Sequence, residues 1–442
     1  MDESAPSVPA MNHRRHEAAR ALLAGRRKVV VISAMTPQQP DELLAAIISE
    51  ARRASVHLRL LFADLTGALA FLDEGAHADV AVGRIELVSL AGGVPRELSP
   101  FIAYYPNTLW DADRLIHEHG IHVDALVARV HATEDASVVS LGPMVAYTPS
   151  AMAAAALSVL EIAPAFIGPE TVHVELGESD LTYSDDDYHL ATPPPSRPAT
   201  EQQEAIATLV AALIPDGATI QLGLGAVPEG VVPALSGKRD LGLHSGILPA
   251  SLAPALESGA FTGAAKSIHR GRHVATGLMS PSGLVGRPWP SSVMLLPLSQ
   301  THAPHVLDAI DALWAVNSAF EIDLYGRVNA EYVQGVRIAA AGGQADFFRG
   351  AHGSPHGASV LALPSRTTQG RARVVMEISQ PVLTSTPHAD VDFVVTENGV
   401  APLVGLTAHE RAEALISVAH PQDRVTLARA LRDQRPPEGT NS

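Results

Sequence analysis

The stretch ATIQLGLGAVPEG, Ala218–Gly230, decides the fold. Its first five residues follow the turn signal Pro215-Asp216-Gly217 and read as a short strand, Ala218–Leu222. That strand runs directly into a glycine turn, Gly223–Gly230, which opens a helix. A turn of this kind aims backbone N–H groups and a helix N-terminus at a negative group, either a phosphate or a developing oxyanion. It is not a Walker A loop, because no GK[ST] follows, and it is not GxGxxG. Taken alone, it reads equally well as a tight structural turn.

Outward from this point, short β-branched runs alternate with Ala- and Leu-rich segments, the pattern of parallel sheets joined by crossover helices. Upstream, Thr200 and Gln203 form a capping box that opens a helix through Leu213. Before it lies ATPPPSRPA, Ala191–Ala199, which can continue neither a helix nor a central strand and marks a domain boundary. In the first half, Lys28–Ser33, Val56–Phe62, His122–Val130 and Val172–Leu176 read as strands, and Asp41–Ala54 as a helix. The alanine-rich Pro149–Ile162 also reads as helical. In the second half, strands are expected at Ser292–Pro297, Ala315–Ser318, Ser359–Leu363 and Phe393–Thr396, with Ala408–Ala419 as the closing helix. The last residues, Gln434–Ser442, read as a frayed tail.

Composition narrows the classes of function. With 442 residues the chain exceeds one ordinary core, and 46% apolar against 18% charged residues leaves ample material for buried sheets. A formal charge of −16 argues against general nucleic-acid binding, which needs a basic face. It leaves room for a small anionic ligand in a locally basic pocket. No apolar run reaches the length of a membrane span, and Met1–Ala10 lacks the apolar core of a signal peptide. The absence of cysteine removes disulfides, thiolate metal sites and a cysteine nucleophile, and fits a cytoplasmic protein. The 20 histidines are scattered, and neither His117/His119 nor His352/His356 has a clear third ligand. No metal is therefore expected, and a structural or surface role fits these pairs. Lysine occurs only at positions 28, 238 and 266.

Two further glycine turns, GGQADF at Gly342–Phe347 and ENGVA at Glu397–Ala401, join the first. Three such turns in one domain suggest a crevice at the carboxyl edge of a parallel sheet. Longer motifs narrow the ligand. VNSAFEIDLYGRVNAE (Val316–Glu331), GGQADFFRGA (Gly342–Ala351) and ALPSRTTQG (Ala362–Gly370) resemble ordered motifs of the acetyl-CoA hydrolase/transferase family, which includes 4-hydroxybutyrate and butyrate CoA-transferases. DVDFVVTENGVAPLVG (Asp390–Gly405), ERAEALISVAHP (Glu410–Pro421) and LGLGAVPEGV (Leu222–Val231) resemble three more. The resemblance is strong from about Ala199 onward. Earlier it survives as Ser140–Pro143 and Tyr147-Thr148.

The resemblance implies an α/β protein of two related CoA-transferase-like domains, with largely parallel sheets and the active site between them. Residues 13–190 would form the N-terminal domain, 191–199 the linker, 200–433 the C-terminal domain and 434–442 the tail. The family's transferases work by ping-pong chemistry on a glutamate, through a mixed anhydride and a glutamyl-CoA thioester. Backbone donors around Ala226, Val227 and Gly343 would stabilise the oxyanions. Coenzyme A would be met by Gly223, Gly225, Gly342, Gln344, Asn398 and Gly399, with Arg270 and Arg272 toward its phosphates. Acyl-CoA and a small carboxylic acid are the expected partners, and a homo-oligomer the expected state.

One position departs from the family. Its glutamate lies in LGIHxEM, and the ungapped counterpart here is LGLHSGI, Leu241–Ile247, with Gly246 where the nucleophile belongs. A glycine cannot form an anhydride. Cationic family positions are also replaced, by Leu406 and His388, and the family tyrosine after its TE pair is Asn398. Glu229 and His244 are the groups nearest in sequence that could take over. Glu229 also reads as a charge favoured at a helix N-terminus, and His244 as a hydrogen-bonded core histidine. Glu321, Asp323, Asp346 and Glu397 read as groups that orient backbone and loops. Arg270 and Arg272 are either a phosphate-binding cluster or a solvated charge run. Three readings follow. The first is an enzyme acting on acyl-CoA without a glutamyl intermediate, by thioester hydrolysis or by carbon–carbon or cyclising chemistry. The second is a CoA-transferase with a relocated nucleophile such as Glu229. The third is a catalytically silent acyl-CoA-binding protein.

Overall fold

The computed structural model describes residues 8–118, 120–186, 188, 199–249, 252–279, 289–378 and 382–433. The expected tail 434–442, most of the proline-rich 191–199 segment, and His119 lie outside the described residues. The chain forms two compact units. The first comprises Met1–Pro193 together with Val274–Ala303 and Arg337–Gly342; the second takes Pro194–His273, Pro304–Val336 and Gly343–Ser442. Among the described residues, no helix is long and apolar enough to cross a membrane.

The first unit is built on a nine-stranded sheet. Its spine runs Ile102–Tyr104, Ile85–Gly92, His57–Asp64, Lys28–Ser33 and Ala125–Ala132, all parallel. Every residue of Lys28–Ser33 except Lys28 is buried, as expected for a strand covered on both faces. Helix Asp41–Ala54 places Leu43, Leu44, Ile47, Ile48 and Ala51 on one buried stripe, with Asp41 and Glu42 in its first turn and Arg52 and Arg53 in its last. These apolar residues join Leu58, Leu60 and Phe62 in one core. The late segments complete this unit by backbone pairing. Val145 N–H donates to Thr276 O at 2.9 Å, Leu295 N–H to Glu170 O at 2.8 Å, and Val94 N–H to Ile338 O at 3.1 Å.

A buried ionic cluster ties the last strands to the sheet. The fully buried Glu161 accepts from Arg129 Nε at 2.8 Å, Arg15 Nε at 3.2 Å and the Tyr183 hydroxyl at 2.8 Å. Arg15 also donates to Asp185 at 2.9 Å, and the Arg129 guanidinium stacks 3.9 Å over the Tyr188 ring.

The second unit carries a six-stranded sheet in the order Gly242–Leu243, Thr219–Leu222, Leu313–Asn317, Ala358–Ala362, Phe393–Thr396 and Gly399–Pro402. The first five strands are parallel, and the last two form an antiparallel hairpin. The capping box read from the sequence is present: Gln203 N–H donates to Thr200 Oγ1, and Thr200 N–H to Gln203 Oε1. It opens helix Glu201–Leu213. Helices Gln344–Gly353 and Ala408–Val418 pack Phe347, Phe348 and Leu415 onto the sheet residues Leu313, Leu361 and Val394.

The fold corrects three sequence expectations. Pro149–Ile162 is not one helix. The helix spans Thr148–Ala154, and Ser158–Ala163 is a central strand parallel to Ala125–Ala132. SVLEIA is a short, mostly apolar run interrupted by Glu161, which periodicity alone cannot assign, and its register against Leu126–His131 decides for strand. Ala408–Val418 is not the closing helix, because Pro421–Asp433 forms another. The turn at Gly342 does not follow a strand of the six-stranded sheet; it opens helix Gln344–Gly353.

Candidate active site at the carboxyl edge of the second sheet

Parallel strands point their carboxyl ends to one edge, and the segments leaving them carry the chemistry. Here Gly223–Gly225 leaves Thr219–Leu222, and His244–Gly246 leaves the neighbouring Gly242–Leu243. Ser318–Phe320 leaves Leu313–Asn317, Pro364-Ser365 follows Ala358–Ala362, and Glu397-Asn398 follows Phe393–Thr396. A crevice of about 460 Å³ is lined by Leu224, Gly225, Val227, Ser318, Phe320 and Arg373, among others. A second cavity of about 440 Å³ shares Phe320 and Arg373 with it.

The glycine turn is fixed from beneath by an amide pair. Asn317 Nδ2 donates to Gln221 Oε1 at 2.7 Å, and Gln221 Nε2 to Asn317 Oδ1 at 3.3 Å. Gly223 passes so close over this pair that a Cβ would overlap Asn317 Oδ1. Gly223→Ala is therefore expected to lower stability by about 1–3 kcal/mol, as overpacking does, and to weaken ligand binding in the crevice. Urea denaturation with calorimetry on the same variant checks both, and an unchanged urea midpoint would contradict the account. Ala226 and Val227 open helix Ala226–Ala234, where first-turn N–H groups have no intrahelical acceptor. Glu229 is half-buried in the same turn, and its Oε1 accepts Gly225 N–H at 3.2 Å.

Gly246 is buried, as are all residues from Leu241 to Pro249. The preceding Ser245 hydroxyl accepts Leu222 N–H at 3.4 Å and donates to Leu222 O at 3.2 Å. This places the segment carrying Gly246 against the strand end that launches the glycine turn. His244 is fully buried, with its ring centroid 6.5 Å from both the His269 and Phe347 rings. Phe347 lies in the first turn of helix Gln344–Gly353, whose N-cap is Gly343, so that helix start also approaches His244. Gln344 donates to Thr386 Oγ1 at 3.2 Å.

The structure brings Gly223, Gly225, Ala226, Val227, Glu229, His244 and Gly246 to neighbouring strand ends of one sheet edge. Glu397 and Asn398 form the tight turn of the edge hairpin, in which Gly399 pairs with Thr396 and Asn398 N–H donates to Thr396 Oγ1 at 3.0 Å. Gly342 belongs to the first unit, and its carbonyl accepts Leu109 N–H at 2.8 Å. Arg270 is exposed and Arg272 half-buried, on the turn that follows Lys266, and neither lines the crevice. Glu397 holds Ser365 through the Ser365 N–H at 2.8 Å and its hydroxyl, which fixes the loop after the fourth strand. Asp323 likewise accepts Tyr325 and Arg327 N–H, and Glu321 accepts Asn329 Nδ2.

Two groups escaped the sequence reading. Lys266 is buried behind Gly242, and its ammonium donates to Leu243 O at 2.7 Å and Arg272 O at 2.8 Å. Burial pushes it down to about 7. Its rarity, one of only three lysines, was the available signal. Burial and the nearby Lys266 charge push His273 down to about 4, consistent with its Nδ1 accepting Leu243 N–H at 3.3 Å. The other group is Arg373, which lines both cavities and lies just past the motif ending at Gly370.

The chain belongs to the acetyl-CoA hydrolase/transferase family of enzymes. Residues 290–431 match the family's acetyl-CoA hydrolase/transferase C-terminal domain. The 4-hydroxybutyrate coenzyme A transferase of Clostridium kluyveri is 33% identical over 336 residues, covering 73% of this chain and 76% of that protein. The succinyl-CoA:cyclohexane-1-carboxylate CoA transferase of Geobacter metallireducens is 32% identical over 335 residues, covering 74% and 75%. Among solved structures, RipA from Yersinia pestis superposes with a TM-score of 0.81 at 26% identity, covering 96% of this chain and 99% of that one.

Proposed function

We propose that this enzyme binds an acyl-CoA at the carboxyl edge of the second sheet and turns it over without a glutamyl intermediate at residue 246. The observation that carries the reading is the placement of Gly246. It is buried one residue beyond the Ser245–Leu222 bonds, beside the glycine turn, and the resemblance of Leu241–Ile247 to the family's LGIHxEM motif would put the nucleophilic carboxylate at this position. The thioester carbonyl oxygen is directed to the Ala226 and Val227 N–H groups, which stabilise charge as it develops there. Water adds to the carbonyl carbon, and its proton passes to the Glu229 carboxylate. The C–S bond then breaks, and the proton goes on to the departing thiolate, leaving free acid and CoA. An internal nucleophile of the substrate in place of water gives carbon–carbon or cyclised products.

A second reading is supported by the 3.2 Å contact of Glu229 with Gly225 N–H, which sets a carboxylate at the turn itself. In it, Glu229 is a relocated nucleophile and the protein transfers CoA to a small acid. One experiment separates the readings. A panel of short acyl-CoAs is incubated in H₂¹⁸O, with and without hydroxylamine, and peptides are mapped by mass. Hydrolysis with ¹⁸O in the released acid and no modified glutamate is expected, falling about 10²-fold or more in Glu229→Gln. Gly246→Glu should gain CoA exchange into acetate, with a hydroxylamine-sensitive adduct at the new side chain. An adduct on Glu229 in the parent establishes the second reading. Saturable CoA binding with no turnover of any thioester means a silent binding protein.

A further inference from the structure

The strand that leads to Gly246, Gly242–Leu243, is an edge strand of the six-stranded sheet. Its inner side pairs in the ordinary way: Gly242 N–H donates to Ala218 O at 2.9 Å and His244 N–H to Ile220 O at 3.0 Å. The N–H and C=O of Leu243 face the outer side, where an edge leaves backbone groups without a strand to pair with. Two residues earlier the backbone of Ala260 and Gly263 meets Leu241 on that side. At Leu243 two side chains do so instead. Leu243 N–H donates to His273 Nδ1 at 3.3 Å, and the Lys266 ammonium donates to Leu243 O at 2.7 Å. The same ammonium donates to Arg272 O at 2.8 Å, which ties the strand end to the turn carrying His269. Gly242 makes room for the lysine chain, because a Cβ there would overlap Lys266 Cγ.

A buried amine is a costly way to fill this space, since a hydrocarbon chain of equal length would occupy it without desolvating a charge. No salt bridge accounts for it either. The charged or titratable groups around Lys266 are His269, Arg272 and His273, all basic, and among the described residues no carboxylate lies within ion-pair distance of it. What the amine supplies and a hydrocarbon cannot is a donor for the buried carbonyl of Leu243, which is expensive to leave unmet. The next residues along the chain are His244, Ser245 and Gly246, and Ser245 is clasped to Leu222, which launches the glycine turn. The segment is therefore held from outside by Lys266 and from inside by Leu222. Misplacing such a segment by about 1 Å can cost on the order of 10²-fold in rate without touching the chemistry directly.

We infer that Lys266 is a positioning residue of this enzyme: acting through the Leu243 carbonyl, it sets where His244–Gly246 meets the glycine turn. The inference rests on the acyl-CoA reading above. The chain has three lysines and no cysteine, and both facts serve the test. In the parent labelled with ¹⁵N at the lysine Nζ, saturation with S-ethyl-CoA, a thioether that cannot be hydrolysed, is expected to shift the Lys266 signal and leave Lys28 and Lys238 in place. Separately, Lys266→Cys is alkylated while unfolded and then refolded, once with 2-bromoethylamine and once with 1-bromopropane. The two resulting side chains have equal length and differ only in ending on an ammonium or a methyl group. Thioester hydrolysis across the acyl-CoA panel is expected to return in the aminoethyl form, with kcat per CoA-binding site at least about tenfold above the propyl form. Free CoA should bind the two forms within about twofold of each other, the split that marks an interaction felt in turnover rather than in binding. Equal kcat in the two forms overturns the inference, because bulk alone then suffices. Loss of CoA binding in the propyl form in step with the lost rate also overturns it, since Lys266 then only keeps the unit folded. A Lys266 signal that saturating S-ethyl-CoA leaves unmoved overturns it as well, and this arm needs no refolded variant. No saturable CoA binding by the parent, or no turnover of any thioester, removes the acyl-CoA reading itself and the inference with it.

Discussion

Glu161→Ala is expected to cost the first unit about 3–5 kcal/mol, the range for breaking a buried ion pair by removing one partner. The carboxylate is fully buried and receives two guanidinium groups and a phenol. Its removal strands Arg15 and Arg129, both themselves buried, with Asp185, Glu42 and Asp41 as the nearby negative charges among the described residues. Burial and the Glu161 charge together hold the Asp185 carboxyl above its ordinary range. The burial, its larger cause, persists when Glu161 is removed, so Asp185 remains a poor substitute counter-ion. For a unit of this size the loss corresponds to a fall of about 6–20 °C in the melting transition. Glu161→Gln, which keeps the shape and one acceptor, should fall between parent and alanine variant. Scanning calorimetry checks the order, and an alanine variant within about 1 kcal/mol of the parent would show that the cluster is surface-like in its energetics.

Acid should weaken the protein well above the range where ordinary carboxylates titrate. Burial pushes His302 down to about 3, and burial with the Lys266 charge pushes His273 down to about 4. An unfolded histidine takes up its proton near 6.5. As pH falls below that value, the unfolded chain binds protons the folded chain refuses, so stability is present above about 6.5 and is lost on the way down. At pH 5 each histidine accounts for about 2 kcal/mol on this basis. Lys266 acts in the same sense on the alkaline side, where stability rises with pH between its folded value of about 7 and its unfolded one. Asp41, Asp113 and Asp185, raised chiefly by burial, act in the opposite sense, so a single pH curve mixes the two. The comparison that isolates one group is His273→Asn, which keeps an acceptor for Leu243 N–H. Its urea stability should fall about 2 kcal/mol less than the parent's between pH 7 and pH 5. Parallel curves would mean that His273 is protonated without cost.

Local signals were read directly from the sequence. The Thr200/Gln203 capping box, the stripe of Asp41–Ala54 and the strand Lys28–Ser33 each depend on residues a few positions apart, and each is present. The strand–glycine turn–helix at Ala218–Gly230 was legible for the same reason. Ser158–Ala163 was not, since a fully buried strand and a buried helix share one apolar pattern, and only the pairing with Ala125–Ala132 distinguishes them. Lys266 and Arg373 were hidden for a different reason. What matters about each is the lack of water or a counter-ion around a cation, and that is set by residues distant in the chain. For Lys266 these are Gly242 and Leu243, and for Arg373 they are Ala319 and Glu397. The grouping of Val274–Ala303 with the first unit was likewise invisible, because no change of composition marks its ends.

That grouping constrains how the protein can be made. A ribosome delivers the chain in order, at roughly 5–20 residues per second, yet the first unit stays unfinished until Gly342 has emerged. Until then Val145, Glu170 and Val94 lack the backbone partners that Thr276, Leu295 and Ile338 later supply. Residues Pro194–His273 of the second unit are synthesised inside that interval. The nascent chain therefore has to begin one unit, start the other, and return to close the first. A gene fragment cut at the proline-rich segment encodes a first unit with those edges open, and an independently expressed version needs the two late segments grafted back as a permuted chain.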